Sequence, residues 1–162
     1  MQIRNASEAD AAVISQIALA TWPDTYGEIL SADQLEYMLD RFCSADAILA
    51  NMQNGQQFLL AFDEMDSAVG FAAFTIKDDF SAHLNKLYVL PATQGKNLGK
   101  LLLGEVSKRS SVAGCTRLTL NVNRFNKAKT FYERLGFSII SEIDIPIGNG
   151  WLMEDFVMSR DI

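Results

Sequence analysis

Between Leu84 and Val112 the chain reads as strand, turn and helix, and that succession constrains the fold more than any other feature. The apolar run Leu84 to Leu90 ends at Pro91. A helix follows from about Leu98, with Leu101, Leu102, Val106 and Val112 or Ala113 predicted on one face. Leu118, Leu120 and Val122 then alternate with Arg117, Thr119 and Asn121, the period-2 pattern of a strand buried on one face. Another helix carries Phe125, Ala128, Phe131 or Tyr132, and Leu135, and stops at Gly136. Two final strands, Phe137 to Ile145 and Trp151 to Met158, are joined through Pro146 and the turn Gly148-Asn149-Gly150.

The first half adds a short strand, Gln2 to Asn5, and a core-facing helix capped by Ser7, supported by Asp10 and carrying Val13, Ile14, Ile17 and Ala18. Pro23 and Gly27 are expected to interrupt the next stretch. Ser31 and Gln34 then form a capping box for a helix with Leu35, Met38, Leu39 and Phe42, and a shorter helix runs from Ala45 to about Met52. Strands at Phe58 to Phe62 and Ala68 to Ile76 form a hairpin. The whole predicts one α/β (α+β) domain over residues 1–162, with a mixed central sheet of about six or seven strands flanked by helices.

Composition limits the function. No apolar run reaches the roughly 20 residues of a membrane span, and the N-terminus has no apolar secretory segment, so a cytoplasmic protein without membrane contact is expected. Two distant cysteines and one histidine argue against a disulfide or a metal site. The net charge is −6 but uneven. Residues 86–134 hold ten basic and two acidic side chains, +8, leaving four basic and eighteen acidic, −14, elsewhere. That suits a small polyanionic ligand and, with no aromatic interleaving among the cations, opposes nucleic-acid binding.

The turn PATQGKNLGK is where such an anion belongs. The first amides of a helix lack intrahelical partners and the helix dipole adds positive charge there. Gly95 and Gly99 let a diphosphate approach the main chain, and Lys96 and Lys100 supply charge. A Walker A loop is excluded: only three residues separate the glycines, and Leu101, not a hydroxyl, follows Lys100. A dinucleotide fingerprint lacks its third glycine.

Gln94-Gly95-Lys96-Asn97-Leu98-Gly99, preceded by LYVLP, resembles the Gln/Arg-x-x-Gly-x-Gly/Ala signature of the GNAT superfamily of acetyltransferases, with Asn97 in place of the middle glycine. LNVNRFNKAKTFYERLGF is similar to the same family's fifth strand, fourth helix and Phe-Tyr-x-x-x-Gly-Phe ending. Asparagine tolerates glycine-like backbone angles better than most residues, so the loop survives the exchange. The resemblance implies acetyl-CoA as co-substrate, with no metal. It implies that the backbone of Leu87 and Val89 pairs with the pantetheine and acetyl arm, and that amides from Gln94 to Lys100 hold the diphosphate. Tyr88 and Lys129 complete the coenzyme set. The pantetheine-contacting asparagine matches Asn126 most nearly, with Asn123 as competitor. Leu101 and Leu102 are read as core.

Tyr132 stands where the family places the acid that protonates the departing thiolate; its unperturbed pKa of about 10 lies not far above the thiol's, about 8.5. A main-chain amide near Val89 is implied for the oxyanion. The base is open: Asn121 cannot take a proton, and His83, Glu28, Glu154 and Asp155 are candidates through ordered water. Trp22, Asp24, Tyr26, Glu28, Trp151, Glu154 and Asp155 are expected to form an aromatic and acidic pocket for a small-molecule or peptide amine, and the segments that carry them resemble bacterial polyamine acetyltransferases. A non-catalytic acyl-CoA sensor or interaction module is the alternative, and a homodimer is left open.

Overall fold

The computed structural model describes Met1–Ile162 and builds the alternating segment into the middle of a seven-stranded sheet. The strands are β1 (Gln2–Asn5), β2 (Gln57–Phe62), β3 (Ala68–Ile76), β4 (Ser81–Val89), β5 (Arg117–Asn123), β6 (Ser138–Gly148) and β7 (Trp151–Asp161). Their spatial order is β1-β2-β3-β4-β5-β7-β6, and every neighbouring pair is antiparallel except β4 with β5. Parallel neighbours need a crossover, here the helix α4 (Leu98–Val112). The last hairpin folds back so that β7, not β6, lies against β5, an order that local pattern does not carry.

Helices cover both faces. On one, α4 and α5 (Ala128–Arg134) bury Leu98, Leu102, Leu103, Val106 and Tyr132 against Leu118, Leu120 and Val122. On the other, α1 (Ala11–Tyr26), α2 (Ala32–Cys43) and α3 (Ala45–Gln53) pack Ile14, Ile17, Trp22, Met38 and Ile48 against Phe58, Leu60 and Phe71. Cys43 and Cys115 are both buried and unbonded, and no helix is long and apolar enough to cross a membrane.

Four expectations are corrected. The helix α1 continues through Pro23 to Tyr26, with the Gly27 amide donating to the Pro23 carbonyl at 2.9 Å. A proline inside a helix costs about 3 kcal/mol, and burial of Trp22 and Tyr26 on either side offsets it. In α4 the apolar stripe runs from Leu98 to Leu103 and Val106; at 3.6 residues per turn Leu101 falls roughly 60° outside it. Leu101 is accordingly 51% exposed and Val112 84%. Val13 faces outward from α1, and Phe125 precedes α5 rather than joining its buried face.

Ser7 does not cap α1: it precedes a 3-10 turn, Glu8–Asp10, and Asp10 is the N-cap of α1. The Ser7 amide donates to Asp10 at 2.8 Å, and the Arg4 guanidinium at 2.9 Å holds the Asp10 carboxyl down to about 2. The Ser31 hydroxyl accepts from the Gln34 amide at 3.2 Å, whereas the Gln34 side chain does not return to the cap and donates to the Leu152 carbonyl at 3.1 Å. Half of the capping box thus becomes a tether from α2 to β7.

Gly70 of β3 was invisible as a structural determinant in the sequence. A Cβ there would meet the Tyr88 carbonyl oxygen at 3.1 Å and Leu98 at 3.4 Å, so its absence lets α4 sit close over β3. Gly70→Ala is expected to destabilise the protein by about 1–3 kcal/mol, read as a lower denaturant midpoint at unchanged slope; an unchanged midpoint would refute this close-packing role.

Candidate active site

The parallel strands β4 and β5 pair over only four residues, Ser81–Leu84 with Arg117–Leu120. The cause lies in the β3–β4 ladder, where Phe74 faces Leu84 and Ala73 faces Lys86, leaving Asn85 as an extra residue. Such a bulge bends its strand. Beyond it, β4 runs on to Val89 beside β3 alone, and β5 runs on to Asn123 beside β7 alone. The facing edges have no strand partner, and a cleft of about 690 Å³ opens between them.

The turn after β4 closes one end of the cleft. Gly95 has φ 81° and Asn97, the N-cap of α4, has φ 60° and ψ 12°, so two left-handed residues curl the main chain into a concave set of amides. The Thr93 and Gln94 amides donate to the Leu90 and Pro91 carbonyls, and the next amide with a protein acceptor is that of Leu101, bonded to the Asn97 carbonyl at 3.0 Å. The amides of residues 95–100 are therefore available to an anion. Asparagine does take the glycine-like angle that the sequence requires at position 97. A Cβ on Gly99 would touch the Phe131 ring at 3.4 Å, so that glycine also serves the contact between α4 and α5.

Of the site residues chosen from the sequence, the coenzyme residues Leu87–Val89, Gln94, Gly95, Asn97–Lys100 and Asn126 and the acid Tyr132 line the cleft. Three do not. Lys96 is not among the lining residues, Lys129 pairs with Glu133 at 2.9 Å, and the buried Asn123 accepts the Phe125 amide at 3.0 Å. Asn126 accepts the Ala128 amide at 2.9 Å and stands beside the Tyr26 hydroxyl. On the acceptor side Asp24, Tyr26 and Glu28 line the cleft, while Trp22, Trp151, Glu154 and Asp155 do not. Residues missed by the sequence include Thr21, Thr25, Phe125, Lys127 and Arg134. The last two belong to the basic stretch, but only the fold brings them to this opening. Phe125 is 64% exposed at the cleft.

Three tyrosines meet here. The Tyr26 and Tyr88 hydroxyls lie 3.5 Å apart, and Trp22 packs against both rings at 4.8 and 5.8 Å. Burial raises the pKa of each of these two and of Tyr132, whose ring is held edge-on by Phe131 and Phe137 at 5.2 and 5.8 Å. A hydroxyl so shielded stays protonated at any working pH and can donate. The near match between a tyrosine of pKa 10 and a thiol therefore does not hold in its simple form: a thiolate must be desolvated beside Tyr132 to compete for its proton. His83 is excluded from proton transfer at the cleft. It lies outside the lining, its Nδ1 is 2.7 Å from the Thr119 hydroxyl, and burial lowers its pKa to about 4.

Residues 28–145 match the acetyltransferase (GNAT) domain family. The chain belongs to that family. This GNAT protein is similar to a spermidine N(1)-acetyltransferase of Thermoplasma acidophilum, 29% identical over 145 residues, 86% of this chain and 89% of the relative. A ribosomal-protein alanine N-acetyltransferase of Haemophilus influenzae is 36% identical over 98 residues, 60% of this chain and 64% of its own length. The fold superposes on the PaiA N-acetyltransferase of Thermoplasma acidophilum, solved in complex with coenzyme A, with a TM-score of 0.83 at 28% identity, covering 99% of this chain and 98% of that one. The GNAT protein is an N-acetyltransferase, and acetyl-CoA is its acyl donor.

Position 97 provides a direct test of the turn. Asn97→Gly is expected to retain stability and coenzyme A binding, whereas Asn97→Val, forced into the left-handed region, should lose about 1–2 kcal/mol in a urea melt. Equal midpoints for the two variants would show that the left-handed angle imposes no constraint.

Proposed function

We propose that the protein acetylates a primary amine of a small, cationic, polyamine-like molecule. The observation that carries this reading is that the cleft passes between β4 and β5 and is lined from both faces of the sheet. Asp24, Tyr26 and Glu28 come from α1 and its C-terminal end, while Lys100, Lys127 and Arg134 come from the α4 and α5 side. An anionic coenzyme and a cationic acceptor can then enter from opposite sides and meet between the strands. The likeness to a spermidine acetyltransferase supports the same class of acceptor.

In this proposal the amides of residues 95–100 bind the coenzyme's diphosphate, with Lys100 adding charge. The main chain of Leu87 and Val89 pairs with the amide-bearing pantetheine arm, as a strand would. Asn126 contacts that arm in preference to Asn123. The neutral amine attacks the thioester carbon, the main-chain amide of Val89 stabilises the oxyanion, and collapse breaks the C–S bond. Tyr132 hands its proton to the departing sulfur and regains one from the nitrogen.

Release of coenzyme A thiol should be measured with polyamines, monoamines, aminoglycosides and N-terminal peptides. Polyamines should give the highest kcat/KM, falling as salt rises because attraction is screened over about 10 Å at 0.1 M. Asp24→Asn with Glu28→Gln should raise KM for the polyamine and leave a monoamine nearly unaffected. A preferred neutral or anionic acceptor, independent of salt, would refute the cationic assignment.

Tyr132→Phe removes only the hydroxyl. Turnover is expected to fall about 10²- to 10⁴-fold, with coenzyme A affinity kept within twofold to threefold, roughly the context scatter of single contacts. An unchanged single-turnover rate would return Tyr132 to a packing role.

A further inference from the structure

The bulge at Asn85 decides which face of the sheet Tyr88 serves. Side chains alternate along a strand, and Leu84 packs into the core beneath α4. Strict alternation would carry Lys86 and Tyr88 to that same face. The extra residue shifts the phase, and Tyr88 instead packs into the core of α1, α2 and α3, on the acceptor's side of the sheet. Its neighbours Leu87 and Val89 pack towards α4. The Tyr88 ring therefore stands across the main chain from them, beside the strand edge that is open to the thioester arm.

There it meets Tyr26. The two hydroxyls lie 3.5 Å apart, and both residues line the cleft. Trp22 packs against both rings at 4.8 and 5.8 Å, and Phe71 against Tyr88 at 5.7 Å. This packing fixes the hydroxyls in place while leaving much of their hydrogen-bonding capacity unfilled. A phenolic hydroxyl donates one hydrogen bond and accepts two. Their mutual contact uses one donor and one acceptor position. The Asn126 Oδ1 is taken by the Ala128 amide, so only its NH2 group is free to meet the Tyr26 oxygen. With Tyr26 donating to Tyr88, each oxygen keeps one open acceptor position. Burial holds both hydroxyls protonated, so these acceptors are neutral.

A primary amine poised to attack commits its lone pair to the thioester carbon and has two N–H bonds left to satisfy. We propose that the Tyr26 and Tyr88 hydroxyls accept those two N–H bonds, and that the pair thereby orients the nitrogen and restricts the enzyme to primary amines. A secondary amine keeps only one N–H. Its extra carbon abuts the second hydroxyl and leaves that oxygen without a partner away from water. Recognition of an N–H by a built acceptor discriminates more strongly than the shape of an apolar pocket. As the C–N bond forms, the nitrogen gains positive charge, and hydrogen bonds from a charged donor are stronger than neutral ones. The pair thus acts most in the transition state. This positioning role rests on the amine-acetylation reading and deepens it: a polyamine is acetylated at its terminal nitrogens and not at its internal ones.

The test is kcat/KM by thiol release for wild type, Tyr26→Phe and Tyr88→Phe with two acceptors. One is the primary amine ranked first in the thiol-release panel; the other is the same molecule carrying one methyl group on each primary nitrogen. Wild type should favour the primary amine by about tenfold to a hundredfold, the consequence of one buried hydroxyl left unpaired. Each variant should lose about threefold to tenfold on the primary amine and keep its rate on the methylated one, so the preference shrinks. Thermal shift with coenzyme A should be unchanged. A purely structural role would lower both rates together and keep the wild-type preference, and that result would overturn the proposal. A wild type that uses the methylated amine as well as the primary one overturns it equally, whether or not the variants fold. Acetyl found on the internal nitrogen of a polyamine product does the same. Wild type releasing no thiol with any amine would instead remove the acetylation reading itself, so the two failures are distinguishable.

Discussion

Four residue pairs hold β4 to β5, and what lies beyond the last of them follows from their parting. Main-chain groups in the middle of a sheet normally satisfy one another, and leaving them unmade is expensive away from water. Here the bulge at Asn85 turns β4 aside while it is still bonded to β3, so one edge of each strand is offered to a ligand instead. A coenzyme whose arm carries amide groups can take the place of the missing neighbour. The same gap joins the two faces of the sheet, which otherwise have separate hydrophobic cores.

Because the gap spans the sheet, the uneven charge of the chain acquires a spatial meaning. Lys100, Lys127 and Arg134 reach the cleft from α4, α5 and the turn before α5, Lys86 reaches it from β4 with its chain over Phe58, and carboxylates reach it from the end of α1. Many of the other charges are used locally: Arg4 with Asp10, Arg109 with Glu105, Lys129 with Glu133. Net charge over a segment therefore overstates what a ligand meets, and the few residues that line the opening are the relevant ones.

Much of this was legible in the sequence where the signal is local. The strand before Pro91, the turn, the helix from Leu98 and the alternation in β5 were expected and found, and so was the tolerance of Asn97 for a left-handed angle. What failed depended on distant partners. Pro23 sits inside α1 because buried aromatics on both sides outweigh its local cost. Leu101 and Leu102 look alike in sequence, and only the angular width of the contact with the sheet separates them. Asn123 and Asn126 flank the same turn, yet the first is buried and bonded to Phe125 while the second faces the cleft. Asp155 was one of several carboxylates in an acidic tail until the placement of β7 between two strands buried it.

The two cysteines acquire a practical meaning from their burial. Cys43 is pushed up to about 11 and Cys115 is likewise raised by desolvation. Thiol–disulfide exchange requires an accessible thiolate, and neither side chain supplies one in the folded protein. The reaction generates a free thiol within a protein whose own sulfurs are inert, so the coenzyme does not become trapped as a mixed disulfide. Colorimetric disulfide reagents added to the native enzyme will accordingly register product alone, and their slow extra signal becomes a measure of unfolding.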